Sequence, residues 1–188
     1  MKKIYSIILI LAAACASIAE EKLEVPAKNS VEVRKSDIPG AGMGVFAVKD
    51  IPEGTLIGPY HGKKITKEKA WELYQKKQHH YFFHVPECSG HKDTPYMDGD
   101  REHYVSKVNF APKKINDTDT NLQNVHFKKF CDEPYIRLYA SRDISVGEEL
   151  YVSYGDEYEY DFMNYKEVQD FFLKKTGIKK KDTFTYKP

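Results

Sequence analysis

The chain has 188 residues, 41% of them hydrophobic and 30% charged, with a formal net charge of +1. That balance suits one domain of ordinary size with terminal extensions and gives no basis for a nucleic-acid binder. Aromatic residues stand at 13%, with 14 Tyr and 10 Phe against one Trp, a supply of rings suited to a β-rich core or a narrow aromatic channel.

The N-terminus carries Lys2 and Lys3, a short apolar run from Ile7 to Ala14, and Ser17-x-Ala19 ahead of Glu20. This is the pattern of a secretory leader over 1–19, with cleavage expected after Ala19. The run is well short of the ~20 residues that span a bilayer, so no stable membrane anchor is expected after cleavage. Cys15 invites a lipid-attachment reading, but Leu11 stands one position too early for it. The mature chain then keeps Cys88 and Cys131; export permits a bond between them, though two distant cysteines do not establish one. Cys88-x-x-His91 has metal-like spacing without a second pair to complete it, and no metal is expected.

Residues 20–30 read as a polar linker. Val31–Arg34 alternates like a strand, and a glycine-rich loop, Ile38 to Gly44, leads into a second strand at Val45–Val48. Dinucleotide and phosphate loops need a helix directly after the glycines, and here a strand follows. Turns at Pro52–Gly54 and His61–Gly62 bracket a third strand, Thr55–Tyr60, and spacing this tight describes a meander. Thr66 to Lys77 is the clear helix of the first half, with Thr66 as cap and Ala70, Trp71, Leu73 and Tyr74 as its apolar stripe. Strands are expected at His79–Phe83 and Tyr96–Asp100, and a pair at Asn121–Val125 and Tyr135–Ala140. Gly147-Glu-Glu then launches a strand from Leu150 to Tyr154, broken by Gly155, where a positive φ or a close backbone approach favours glycine. Tyr165–Lys175 has helical spacing through Val168, Phe171 and Phe172, with Gly177 as its stop. The lysines from Lys174 to Lys181 read as a solvated face or tail.

Four features stand in one order: a Gly-x-Gly loop before a strand; Gly58-Pro59-Tyr60-x-Gly62; Val108-Asn109-x-Ala111 with Asn121-Leu122 downstream; and Gly147-Glu-Glu-Leu150 leading to Tyr154-Gly155. In that order they resemble the SET domain of protein-lysine methyltransferases, most closely its PR-domain branch. The resemblance covers 31–158 and leaves 159–188 as a C-terminal helical tail. It implies a mainly β fold with short helices, small curved sheets around a knot-like core, plus a C-terminal helix. It also implies S-adenosyl-L-methionine as cofactor and a lysine-containing protein, such as a histone, as partner.

The resemblance assigns roles by position. Tyr154 is the catalytic hydroxyl facing the transferred methyl, and Tyr60 lines the lysine channel. Ala41, Gly42 and Met43 form the cofactor loop, Asn109 and Phe110 hold the cofactor's amino-acid and adenine portions, and Tyr81 adds a contact. Asn109-Phe110-Ala111-Pro112 stands where most SET domains have Asn-His-Ser-Cys, and Phe110 is expected to narrow the pocket. No cysteine-rich segment follows, so Tyr158, Tyr160 and the C-terminal helix are expected to close the channel. With the leader, the picture is an exported methyltransferase acting in a host cell; the alternative is a catalytically silent SET-like binding module outside the cytoplasm, with Phe110 obstructing the donor.

Overall fold

The computed structural model describes residues 29–78, 80–156 and 158–188, so the expected leader and nearly all of the linker lie outside the described residues. Among the described residues, thirteen short strands form five small sheets, accompanied by two α-helices. β1 (Val31–Lys35) and β2 (Met43–Ala47) form a hairpin with Val31 opposite Ala47. Its inner strand is buried because the Gly147 turn runs along it: the Ala47 amide donates to the Glu148 carbonyl and the Leu150 amide to that of Val45.

β3 (Leu56–Pro59) pairs with β11 (Ile136–Ala140), which pairs in turn with β10 (Val125–Lys129). A separate sheet takes β4 (Gly62–Ile65) and β5 (Phe82–His84) on either side of β6 (Tyr96–Gly99). The expected strand at 79–83 thus begins later, and Tyr81 belongs to the turn that leads into it. The expected strand at 121–125 also starts later, because Asn121 adopts φ +54° and interrupts extended backbone. β7 (Asn109–Phe110) and β12 (Tyr151–Val152) run parallel, Asn109 beside Tyr151, so segments some forty residues apart lie side by side.

α1 (Lys67–Gln75) starts at Thr66, whose hydroxyl accepts from the Lys69 amide at 3.2 Å, as the sequence suggests. Its apolar stripe is a different matter. Only Ala70 is buried, while Trp71 and Tyr74 are 64% and 45% exposed and stack on each other. α2 (Lys166–Thr176) buries Val168, Phe172 and Leu173 and ends at Gly177 with φ +70°. The tail is not helical throughout. β13 (Tyr186–Lys187) pairs with β8 (Lys114–Ile115), which pairs with β9 (Thr118–Asp119), and so ties the C-terminal residues to the loop after β7.

Two cores result. One gathers Val45 from the hairpin, Ile57, Ile136 and Leu138 from the β3–β11–β10 sheet, and Leu150 and Val152 from the segment running into β12. The other gathers Phe110, Ile115, Met163, Val168 and Phe172 beneath α2. Each fully buried side chain of this kind contributes about 1.5–3 kcal/mol relative to exposure. Tyr154 packs against both cores and so sits on the seam between them. Cys88 and Cys131, which the sequence left open, are joined by a disulfide with Cα atoms 5.2 Å apart. The bond links the β5–β6 loop to the β10–β11 loop, beside an ion pair of Lys64 with Glu133 at 3.0 Å and a hydrogen bond between His91 and Tyr135 at 2.8 Å. With Cys88 so engaged, Cys88-x-x-His91 is not a metal pair. Among the described residues no group of three His, Cys, Asp or Glu side chains is placed to hold a metal ion, and no helix is long and apolar enough to cross a membrane.

Candidate active site

The site begins at a buried carboxylate. Glu149 is 3% exposed and accepts four hydrogen bonds: Oε1 from the Ser36 hydroxyl at 2.7 Å and the Asn109 amide at 3.0 Å, Oε2 from the Asp37 backbone at 3.1 Å and the Tyr151 hydroxyl at 2.9 Å. A charge buried at this depth persists only when its lone pairs are satisfied in this way. Gly44 makes room for it, since a Cβ there would lie 2.2 Å from Glu149 Oε1. Asn109 spends a second N–H on the Met43 carbonyl at 3.0 Å, so the glycine loop, β7 and Glu149 form one unit. Asn124 braces the same strand, accepting from the Tyr151 amide at 2.8 Å and donating to the Glu149 carbonyl at 3.0 Å.

Above this unit opens a cavity of about 250 Å3. Ala41, Met43 and Asn109 line it, as do Tyr60, Phe83 and Phe127, and Tyr81, Tyr154 and Tyr158 contribute further to its wall. Of the residues named from the sequence, Ala41, Met43, Asn109, Tyr60, Tyr81 and Tyr154 therefore meet around one space. Gly42 does not line it; its φ of +75° makes the turn that brings Ala41 and Met43 there. Phe110 is the correction. Side chains alternate along a strand, so with Asn109 facing the cavity the Phe110 ring goes the other way. It is 2% exposed in the second core, 4.4 Å from the Tyr160 ring and 5.8 Å from that of Phe162. Phe110 does not narrow the pocket, and any contact it makes with a ligand there is through its backbone. The silent-module reading loses the obstruction that motivated it.

The tyrosines are held by their hydroxyl protons. Tyr154 donates to the Val108 carbonyl at 3.0 Å and Tyr60 to the Tyr81 carbonyl at 2.9 Å. Gly155, at φ +92°, turns the chain immediately after Tyr154, and its carbonyl accepts from the Tyr160 hydroxyl at 2.8 Å. Burial pushes the pKa of Tyr154 and of Tyr60 well above the usual phenol value, and carries Tyr160 up to about 12. At neutral pH these are neutral phenols with the proton committed to a backbone carbonyl and oxygen lone pairs left over. Tyr154 and Tyr158 stand 4.7 Å apart ring to ring, and Tyr158 and Tyr160 5.0 Å apart, so aromatic rings run from the seam toward the C-terminal segment. Ser106 adds a buried hydroxyl to the cavity wall. It is close enough to the Tyr60 phenol to oppose the rise in its pKa, yet meets no partner at hydrogen-bonding geometry.

Several participants escaped the sequence reading. Glu149 had a signal, an acid at the start of an apolar strand where burial demands partners. Asn124 had a weak one, three residues beyond the Asn121 that drew attention. Phe83, Phe127 and Ser106 had none, since only the packing of separate sheets places them on the cavity.

The family profile described as SET domain matches residues 42–155. Among curated relatives, the N-lysine methyltransferase KMT5A-A of Xenopus laevis is 32% identical over 127 residues, covering 63% of this chain and 35% of its own. The histone-lysine N-methyltransferase EZH2 of Chaetomium thermophilum is 26% identical over 152 residues, covering 77% of this chain and 9% of its own. The chain thus spans about a third of the length of the first relative. Among solved structures, Polycomb repressive complex 2 of Chaetomium thermophilum bound to an inhibitor superposes with a TM-score of 0.52 at 26% identity, over 69% of this chain and 16% of that one. The methyltransferase domain of human PR domain-containing protein 2 shares the fold with a TM-score of 0.50 at 23% identity, over 70% of this chain and 81% of that one.

Proposed function

The chain belongs to the SET-domain family, and from that premise we propose that it is an S-adenosylmethionine-dependent protein-lysine N-methyltransferase. The observation that carries the reading is the single cavity in which Asn109 and the Ala41–Met43 loop face an aromatic wall of Tyr60, Phe83 and Phe127, with Tyr154 at the seam. The residues fit the cofactor: the cavity adjoins a glycine-turned loop, and the orphaned Ser106 hydroxyl leaves a polar contact for a ligand to complete. Ala41, Met43 and Asn109 would hold it. When bound, S-adenosylmethionine supplies an electrophilic methyl group on a sulfonium.

Displacement at that carbon needs nucleophile, methyl and leaving group in line, so what the protein contributes is chiefly positioning. The aromatic wall admits a lysine side chain and strips water from its ammonium. Desolvation favours the neutral amine, which a free lysine with pKa about 10.4 does not reach at neutral pH. Tyr154, its proton engaged by Val108, keeps oxygen lone pairs for polarised C–H groups. Tyr60 is fixed in the same way and presents its oxygen toward the lysine end. Among the described residues no Asp or Glu lines the cavity, and desolvation takes the place of a carboxylate base.

The substrate is a lysine-bearing protein, with histones the first class to test, since two relatives are named for N-lysine and histone-lysine transfer. The enzyme is exported and works in a host cell. What supports this is the leader pattern at 1–19 together with a Cys88–Cys131 disulfide, a bond that forms in oxidising compartments. Calorimetry with S-adenosylmethionine, followed by labelled methyl transfer to histones and cell lysate using the chain from Glu20 onward, tests the proposal. Absence of both binding and transfer would sink it, and a mature N-terminus still carrying Met1 would remove export.

A further inference from the structure

The rings of Tyr60, Phe83 and Phe127 that line the cavity come from two separate sheets. Phe83 lies on β5 and Phe127 on β10, each an outermost strand of its own sheet, and among the described residues no ladder joins the two strands. Their rings nonetheless meet at 4.6 Å, and Tyr60 closes the group at 4.6 Å from Phe83 and 5.6 Å from Phe127. What ties the two edges together lies just beyond them. Cys88 follows Phe83 by five residues and Cys131 follows Phe127 by four, and the disulfide between them is a covalent cross-link from one sheet to the other. The Lys64–Glu133 ion pair bridges the same gap, but with side chains 31% and 67% exposed it contributes little. The hydrogen bond between His91 and Tyr135 adds a polar tie.

Both cysteines are exposed, so a thiolate from solution can reach the bond, and exposed disulfides are the labile class. The glycine loop and Asn109 are held by other means. They are fixed through Glu149, Ser36 and Tyr151, none of which belongs to either cross-linked loop. We propose that Cys88–Cys131 is a thiol–disulfide exchange site that controls how firmly the aromatic wall grips the acceptor lysine, an assignment that rests on the methyltransferase reading and not on export. In the exchange, one thiolate of a dithiol reductant attacks a sulfur of the bond, forms a mixed disulfide and releases the other cysteine as a thiolate. The reductant's second thiolate then displaces the first cysteine. Two electrons and two protons end on Cys88 and Cys131, and the reductant leaves as a disulfide. The β5–β6 and β10–β11 loops are then free to move apart, and Phe83 and Phe127 lose their fixed distance. A wall ordered beforehand becomes one that the lysine must order on entry, which weakens acceptor binding and leaves the donor's contacts intact.

The test compares the full chain before and after treatment with dithiothreitol, with the double variant Cys88→Ser, Cys131→Ser as a form that cannot close the bond. Hydrogen exchange read by mass spectrometry should show protection lost on reduction in β5 and β10, well beyond any loss in β2, β7 and β12. Calorimetry should give the same affinity for S-adenosylmethionine in both forms, while the KM for histone rises about tenfold, because two rings must now be ordered on binding. Re-oxidation should restore the lower KM. The double variant should show the raised KM with or without dithiothreitol, which separates exchange at this bond from a general effect of the reagent. If that variant does not fold, the reduced and re-oxidised protein carry the comparison alone. Protection lost evenly over all strands would reduce the bond to a structural brace and overturn the assignment. So would a KM that reduction leaves unchanged, or a donor affinity that falls as far as the acceptor KM rises. If histone is not methylated, the exchange pattern decides. Failure of the oxidised protein to bind S-adenosylmethionine is a different result and removes the methyltransferase reading itself.

Discussion

Replacing Glu149 by glutamine changes one oxygen to an amide nitrogen and removes one charge, in a residue that touches Ser36, Asp37, Asn109 and Tyr151 at once. The geometry leaves glutamine no comfortable orientation. Each carboxylate oxygen serves one hydroxyl and one N–H: Ser36 and Asn109 at Oε1, Tyr151 and Asp37 at Oε2. The hydroxyls of Ser36 and Tyr151 can rotate to accept from the new amide. The Asp37 backbone N–H cannot, and the Asn109 N–H could turn only by giving up its bond to the Met43 carbonyl. Whichever way the glutamine faces, one buried N–H is left against another, at about 1–3 kcal/mol, and the remaining bonds lose their charge assistance. A total of about 3 kcal/mol lowers the unfolding temperature by about 6–12 °C in a chain of this length. Thermal unfolding followed by circular dichroism measures the stability, and calorimetry with S-adenosylmethionine shows whether a loosened Asn109 and glycine loop also weaken the donor. A variant within about 0.5 kcal/mol of the parent would refute the view that this carboxylate holds the site together.

Other perturbations separate chemistry from scaffold. Tyr154→Phe should cut methyl transfer by about a hundredfold or more while costing only about 1–2 kcal/mol for the bond to Val108; an unchanged rate would take the hydroxyl out of the mechanism. Reducing the Cys88–Cys131 bond, or replacing both cysteines by serine, should lower stability by about 4 kcal/mol on the chain-entropy estimate for a 43-residue separation. Urea unfolding with and without reductant reads this directly, and coincident curves would contradict it. Alkaline pH offers a fourth check. Burial raises the pKa of Tyr60 and Tyr151 far above 10.0 in the fold, so above pH about 10 the unfolded chain releases protons that the folded chain retains. Stability from these two groups is complete below pH about 10 and declines beyond it, at about 2.7 kcal/mol per pH unit. A delayed share of the phenolate absorbance should therefore appear together with the loss of circular dichroism; complete phenolate absorbance before unfolding would show these phenols to be accessible.

Much of the molecule was legible from local chemistry. Turn residues, the Thr66 cap, the Gly177 stop and the short apolar runs follow from backbone preference, which acts over a few residues and leaves its mark in the order of the sequence. The Tyr154–Gly155 step and the run from Ala41 to Met43 were visible for the same reason. Distance in the chain hid the rest. The direction of Phe110 depends on Asn109 facing the cavity across β7, and a pattern of residues does not say which face of a two-residue strand is inside. Trp71 and Tyr74 have helical spacing yet remain 64% and 45% exposed, stacked on each other, and spacing alone does not say which stripe is buried. The Cys88–Cys131 bond, the four donors around Glu149 and the meeting of Phe83 with Phe127 each join segments from separate sheets. Sequence determined most of the short elements and which residues were candidates for the site; only the tertiary packing decided which of them share a cavity, because contacts between elements far apart in the chain are set by how the sheets close on one another.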